Sequence, residues 1–339
     1  MKGFNVAIAG ATGAVGEVLL SILEQRKFPV NQLFPLASER SAGTKVIFKG
    51  KPVMVQNLAE FDFSQAQIGF FSAGGSVSAE FAPKAGAKGC IVIDNTSHFR
   101  YEDDIPLVIP EINPQRIADY TNRNIIANPN CSTIQMLLAL KPIYDAVGIK
   151  RISVATYQAV SGTGNAAIKE LAKQTADLLN GQDVECKVYP KQIAFNALPH
   201  IDTFEDNGYT KEEMKMCWET QKIFEDDSIQ VSATCVRIPV FFGHSEAVQV
   251  ETNGPISDEE VRRLLSAMPG VVVMDERVDG GYPTAVGDSV GQDAVFVGRI
   301  RQDISLTNGL NLWVVSDNVR KGAALNSVQI AEVLIKDLL

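Results

Sequence analysis

The stretch Phe4-Asn-Val-Ala-Ile-Ala-Gly10-Ala-Thr12-Gly13-Ala14-Val15-Gly16 decides the fold of the first part of the chain. Phe4 to Ala9 reads as a buried strand. Gly10 to Gly16 reads as a tight turn, and Gly16 to Gln25, with Val18, Leu19, Ile22 and Leu23 along one face, as a helix. Strand, glycine turn and helix in that order can seat a pyrophosphate on the helix N-terminus, because backbone without a Cβ can approach it closely. The spacing G-x-x-G-x-x-G departs from the commoner G-x-G-x-x-G, and a turn that binds nothing is the alternative.

Outward from this turn, a second strand near Leu33 to Ala37 runs into Ser38-Glu39-Arg40-Ser41. An acid at that point suits a ribose 2′-hydroxyl and an arginine suits a 2′-phosphate. Both are present. Arg40 between two serines favours NADP, and a plain solvated loop is the alternative. Ile68 to Ala73, Ile91 to Asp94 and Asn124 to Ala127 read as further buried strands, so the expectation is an α/β, Rossmann-type domain with a parallel sheet and right-handed crossovers.

From residue 131 the pattern changes. Ile149 to Ala159 is a strand rich in β-branched residues, followed by Ser161-Gly162-Thr-Gly164 and a helix from Ala166 to about Leu179. Ser232 to Val240 and Glu246 to Thr252 read as antiparallel strands joined through Phe241-Phe-Gly-His244. Ser257-Asp-Glu-Glu260 reads as a capping box opening a helix to Met268. Val295 to Ile300 and Leu310 to Ser316 supply two more strands, and an amphipathic helix closes the chain from about Ala323 to Leu338. The polar segment Gly181 to Ile229 reads as a partly helical surface excursion. The expected plan is a dinucleotide-binding domain, 1–130, completed by the C-terminal helix within 319–339. A catalytic and dimerisation domain, 131–318, follows it, α+β with an antiparallel sheet.

Composition narrows the function class. Across 339 residues the hydrophobic set is 45% and the charged set 21%, which indicates a folded globular chain. A formal net charge of -9 argues against nucleic acid or an anionic membrane as partner. No run approaches the apolar length of a membrane span, and the N-terminus lacks a signal-peptide pattern. The five cysteines are scattered without a Cys-x-x-Cys pair, which gives neither a disulfide framework nor a metal site and fits a reducing cytoplasm.

Asn128-Pro-Asn130-Cys131-Ser-Thr133 follows a strand and precedes the apolar helix Ile134 to Leu140. A cysteine in the first helical turn meets free N–H groups and the positive end of the dipole, which favour thiolate, and thiolate attacks acyl carbons. Buried cysteine more often acts as a small hydrophobe, and Cys90 and Cys235, each inside a strand, read that way. His244, in a turn seven residues after Arg237, is a candidate acid/base. His98 and His200 lack comparable neighbours.

Together, Gly10 to Gly16, Asn130 to Thr133, Gln158 with Ser161 to Gly164, and Arg237-Ile-Pro-Val-Phe-Phe-Gly-His244 resemble the aspartate-semialdehyde dehydrogenase family. Ser97-His-Phe-Arg100 and Asp317-Asn318-Val-Arg-Lys-Gly-Ala-Ala324 add to the resemblance, which runs in order over nearly the whole chain. It implies a homodimer that reduces L-aspartyl 4-phosphate with NADPH to the semialdehyde and phosphate. That reaction serves lysine, threonine, methionine and diaminopimelate synthesis. It further implies a thioester on Cys131, His244 as general acid/base, and substrate contacts from Gln158, Arg237, Arg100, Glu212, Lys215 and Asn130. Arg237 would grip the carboxylate and Arg100 the phosphate, and Glu212 and Lys215 would meet the amino group and phosphate. An ordinary surface ion pair is the alternative for Glu212 and Lys215, which stand three apart. The resemblance gives the cofactor Gly10, Thr12, Gly13, Ala14, Val15, Arg40, Ser41, Ser161, Gly162 and Asn318. The rivals are a related acyl-phosphate reductase, acting on N-acetyl-glutamyl phosphate or glyceraldehyde phosphate, and a regulatory paralogue with weak catalysis.

Overall fold

The computed structural model describes residues 3–339. The chain forms two compact units, one of residues through Asn130 with Ala323–Leu339, the other Cys131–Gly322.

In the first unit β1 (Phe4–Ala9) leads into α1 (Ala14–Gln25), which starts two residues earlier than the apolar periodicity suggests. The chain continues through β2 (Val30–Ala37), the hairpin strands β3 (Lys45–Phe48) and β4 (Lys51–Met54), and the short β5 (Gln56–Asn57). After them come β6 (Ile68–Phe71), α2 (Gly75–Ala87), β7 (Ile91–Asp94) and β8 (Ile125–Ala127). β3, β4, β5 and α2 are absent from the sequence reading. The hairpin strands are only four residues each, and α2 is diluted by two glycines and Pro83, so neither shows a strong apolar period.

The first sheet runs β5-β2-β1-β6-β7-β8 with every pair parallel. Its strand order reverses beside β1, and in open parallel sheets ligands bind at the carboxyl ends of strands at such a switch point. Strands buried on both faces explain the continuous apolar runs in the sequence.

The second unit begins with α3 (Cys131–Val147), followed by β9 (Ile149–Gln158), α4 (Asn165–Leu179), α5 (Lys211–Phe224), β10 (Gln230–Arg237) and β11 (His244–Thr252). Then come α6 (Asp258–Ala267), β12 (Val271–Val273), β13 (Val295–Gln302) and β14 (Gly309–Ser316). Ser257 caps α6 by accepting the Glu260 N–H. The last helix, α7 (Leu325–Asp337), belongs to the first unit, where Leu325, Val328, Ala331 and Leu334 share a core with Leu19, Ile22 and Leu23 of α1.

The second sheet has the order β10-β9-β11-β14-β13-β12 and is mixed. Its central pairs are antiparallel as expected, but the edge pairs β10–β9 and β12–β13 are parallel. β10 and β11 are therefore not a hairpin. β9 lies between them and pairs with both, while residues 238–243 cross its end. Nearness in sequence suggested pairing, but Ser161 N–H donates to Phe241 O and Val160 N–H to Val240 O, which ties that crossing segment to the loop after β9. α3 packs on this sheet beside α5 and α6.

The segment 181–229 is also not a surface excursion throughout. α5 opens with a full capping box between Thr210 and Glu213 and buries Glu212, Glu213, Lys215, Met216 and Glu219. Its polar composition hid a buried helix, because its acids and lysine are paired rather than solvated.

Candidate functional site

In the first unit, Gly10 adopts φ +89 and its N–H donates to Leu36 O. A Cβ on Gly16 would stand 2.3 Å from Gly10 O, so the turn is closed by direct backbone packing. Gly13 is the N-cap of α1 and supplies no side-chain acceptor, so the first turn of α1 has no side-chain cap. Thr12 lies in the same turn, half-buried. These features fit a pyrophosphate. Arg40 is exposed and Ser41 half-buried in the turn that follows β2, next to exposed Glu39. Arg100 is buried and donates to the Asn95 carbonyl at 2.9 Å, and Asn130, last residue of this stretch, is buried.

In the second unit, Cys131 is the first residue of α3 and is half-buried, unlike the fully buried Cys90 and Cys235. Burial pushes the Cys90 thiol up to about 12 and also raises Cys235, so both are poor nucleophiles.

The sheet brings three predicted residues into one row. β9 ends at Gln158, which stands opposite Arg237 in the β10 register. On the other side of β9, His244 begins β11 one residue beyond the Ser245–Tyr157 pair. His244 is thus not in a turn. It is a strand residue with no exposed surface. Its Nδ1 accepts the Ala159 N–H at 3.0 Å, which places the proton of the neutral ring on Nε2. Burial first, and the nearby Arg237 charge second, push its pKa down to about 3. The neutral ring therefore presents an N–H donor at Nε2. Acting as a base at that atom would require the proton to move to Nδ1, against the Ala159 N–H.

Arg237 donates through Nη1 to Ala159 O at 2.6 Å. Its Nε, like His244 Nε2, is buried with no hydrogen-bond partner. Both groups neighbour Gly162: a Cβ there would lie 3.1 Å from Arg237 Nη1 and 3.6 Å from His244 Nε2. Two buried donors left unpaired around a residue without a side chain suit an anionic, oxygen-rich ligand.

Gln158 Nε2 donates to Ser132 Oγ at 3.0 Å and to Glu212 Oε1 at 3.1 Å, which links α3, β9 and α5. Lys215 Nζ bridges Glu212 at 2.9 Å and Asp202 at 2.7 Å. The pair is buried, not an ordinary surface ion pair. Burial opposes the Lys215 ammonium, but Glu212 and Asp202 outweigh it and hold its pKa above the usual value. Ser161 and Asn318 hydrogen-bond to each other at 3.0 Å, and Asn318 Oδ1 accepts the Gly243 N–H at 2.9 Å.

The sequence reading missed two positions here. A Cβ on Gly322 would stand 2.5 Å from Cys131 Cβ, so only glycine lets that backbone pass the cysteine. A glycine inside the helical turn Arg320–Ala324 was the available signal. Glu246, fully buried on β11, gave no signal, since an acid in an alternating strand normally faces water.

Residues 5–120 match the family described as "Semialdehyde dehydrogenase, NAD binding domain", and residues 140–321 match "Semialdehyde dehydrogenase, dimerisation domain". The aspartate-semialdehyde dehydrogenase of Shewanella sp. is 65% identical, with 98% of each chain covered. That of Legionella pneumophila is 64% identical over 100% of this chain and 97% of its own. The chain belongs to the aspartate-semialdehyde dehydrogenase family. A crystal structure of aspartate semialdehyde dehydrogenase II from Vibrio cholerae, complexed with ASA, superposes with TM-score 0.98 at 62% identity, covering 100% of both chains. As an aspartate-semialdehyde dehydrogenase, the chain is an oxidoreductase acting on an aldehyde group, uses a nicotinamide dinucleotide and serves amino-acid biosynthesis. Among the described residues, no helix is long and apolar enough to cross a membrane.

Proposed function

We propose that the chain catalyses the reversible, NADPH-dependent reduction of L-aspartyl 4-phosphate to L-aspartate 4-semialdehyde and phosphate through a thioester on Cys131. The observation that supports it most is the row Arg237, Gln158 and His244, with two buried donors awaiting an acceptor in the unit whose first helix begins at Cys131. In this reading the Cys131 thiolate bonds to the acyl carbon and the bond to phosphate breaks. When bound, NADPH supplies the hydride that reduces the acyl group. The carbon–sulfur bond then breaks, releasing aldehyde and thiolate. The first N–H groups of α3 favour thiolate and steady the oxyanion. His244 serves as the acid side of acid/base catalysis, its Nε2–H donating to oxygen as charge develops.

Arg237 would take the substrate carboxylate with its planar fork, while Gln158 orients the acyl group. Arg100 and Lys215 would serve the phosphate, Glu212 the amino group, and Asn130 the substrate beside the nucleophile. For the cofactor, Gly10 and Thr12 to Val15 would hold the pyrophosphate. Arg40 with Ser41 would meet the 2′-phosphate, and Ser161, Gly162 and Asn318 the nicotinamide end. That assignment makes Met1–Asn130 with the C-terminal helix the NADP-binding domain, and the remainder the catalytic and dimerisation domain. We further propose a homodimer, supported by an open hollow of about 500 Å³ on the second sheet, lined by Ile238, Tyr282, Val286, Leu312 and Trp313.

Semialdehyde oxidation assayed with and without phosphate, with NADP and NAD side by side, tests the whole reading. It predicts oxidation that requires phosphate and favours NADP. Phosphate-independent oxidation, or a preference for NAD, would count against it.

A further inference from the structure

One row below Gln158, Arg237 and His244, the same face of the sheet carries Thr156, Cys235 and Glu246 before it becomes apolar. Glu246 has no exposed surface, and neither of its carboxyl oxygens receives a hydrogen bond. Burial disfavours its ionised form and outweighs the polar side chains of Gln135 and Ser132, both in the first turns of α3, which favour it, and no cation is among its neighbours there. Gln135 Oε1 is likewise buried without a donor, while its Nε2 is directed at Val314 O at 3.4 Å. Flipping the Gln135 amide would set two oxygens, its own and that of Val314, against each other. Two buried acceptors side by side are costly, and one proton between them satisfies both.

We propose that Glu246 is kept as a neutral carboxylic acid that donates its proton to Gln135 Oε1, and that this acid–amide pair positions the opening turn of α3. Ser132 stands beside this carboxyl and accepts from Gln158, so the pair also fixes the amide proposed to orient the acyl group. Burial holds the Glu246 pKa well above its ordinary value. The titratable groups around this row are Cys235 on β10, Glu212 and Glu213 on α5, and His244 on its own strand. Burial first, and the carboxylates of α5 after it, raise the Cys235 pKa, and burial and Arg237 keep His244 neutral, so none of these supplies a countercharge. Glu246 is a positioning residue. Its catalytic consequence rests on the roles proposed for Cys131 and Gln158, whereas its protonation state does not.

The sign of the linkage is fixed. The folded chain holds a proton that the unfolded chain releases above pH ~4.5, so Glu246 makes the fold lose stability as pH rises from there towards its folded pKa. In Glu246→Gln that loss disappears, and the new amide can still donate to Gln135. The melting temperature of Glu246→Gln minus that of the parent should increase as pH goes from about 5 to about 8. The infrared spectrum of the parent near neutral pH should show a protonated-carboxyl band that this variant lacks. Glu246→Met leaves Gln135 without a donor. It should lower kcat roughly tenfold and shift the pH profile of Cys131 alkylation, and Glu246→Gln should restore most of both. A melting difference that stays flat or shrinks with pH, or a missing band, would overturn the neutral acid. If Glu246→Met keeps parental kcat and alkylation, the positioning role fails while the thioester reading stands. Should Glu246→Met not fold, the Gln variant still decides through melting and the infrared band.

Discussion

His244 shows how much a single side chain's surroundings constrain its chemistry. Because Nδ1 accepts the Ala159 N–H, the ring enters the reaction as a donor at Nε2, and α3 has to favour the Cys131 thiolate without help from that nitrogen. His244→Asn, which retains a donor but not a titratable ring, should still form acyl-enzyme while steady turnover falls roughly 10²- to 10³-fold. Stopped-flow phosphate release beside steady-state rates measures both, and unchanged turnover would remove His244 from the chemistry. Cys131 at a helix start, and Arg237 seven residues before His244, could be marked as candidates from the sequence. The proton on Nε2 could not be read there, since it depends on a backbone N–H 85 residues away. Gly322 belongs to the same scale. Gly322→Ala forces a methyl against Cys131 and should cost about 1–3 kcal/mol of stability by overpacking. A thermal melt and the Cys131 alkylation rate check it, and a parental melt with parental alkylation would contradict the close approach.

Among the elements, β1 and α1 were readable because every local signal agreed: apolar strand, glycine turn, amphipathic helix. β10 and β11 were found as strands but joined wrongly, because pairing is decided by β9, some 80 residues upstream in register. α5 was harder still. Its burial depends on Glu212, Lys215 and Asp202 neutralising one another, a tertiary property that composition does not carry. Removing one partner of a buried pair leaves charge uncompensated. Lys215→Met should therefore destabilise the protein by roughly 3 kcal/mol, seen as a lower denaturant midpoint with unchanged slope. A midpoint equal to the parent's would show that α5 does not need the bridge.

At the scale of the whole molecule, the second sheet places α3 on one face and the hollow beside Trp313 on the other, so dimerisation and the Cys131 row can share one platform. Val286, well exposed at 69% in that hollow, is suited to test the dimer. Val286→Glu should shift the sedimentation coefficient from dimer to monomer, and an unaltered dimer would move the interface elsewhere. The central claim is the thioester, and it is tested most directly by mixing the protein with aspartyl phosphate without cofactor, then measuring released phosphate and intact mass. The account predicts one phosphate released per chain, with an aspartyl group gained on Cys131, and neither in Cys131→Ala. An undiminished phosphate burst in Cys131→Ala, or a mass gain mapping to another residue, would contradict it.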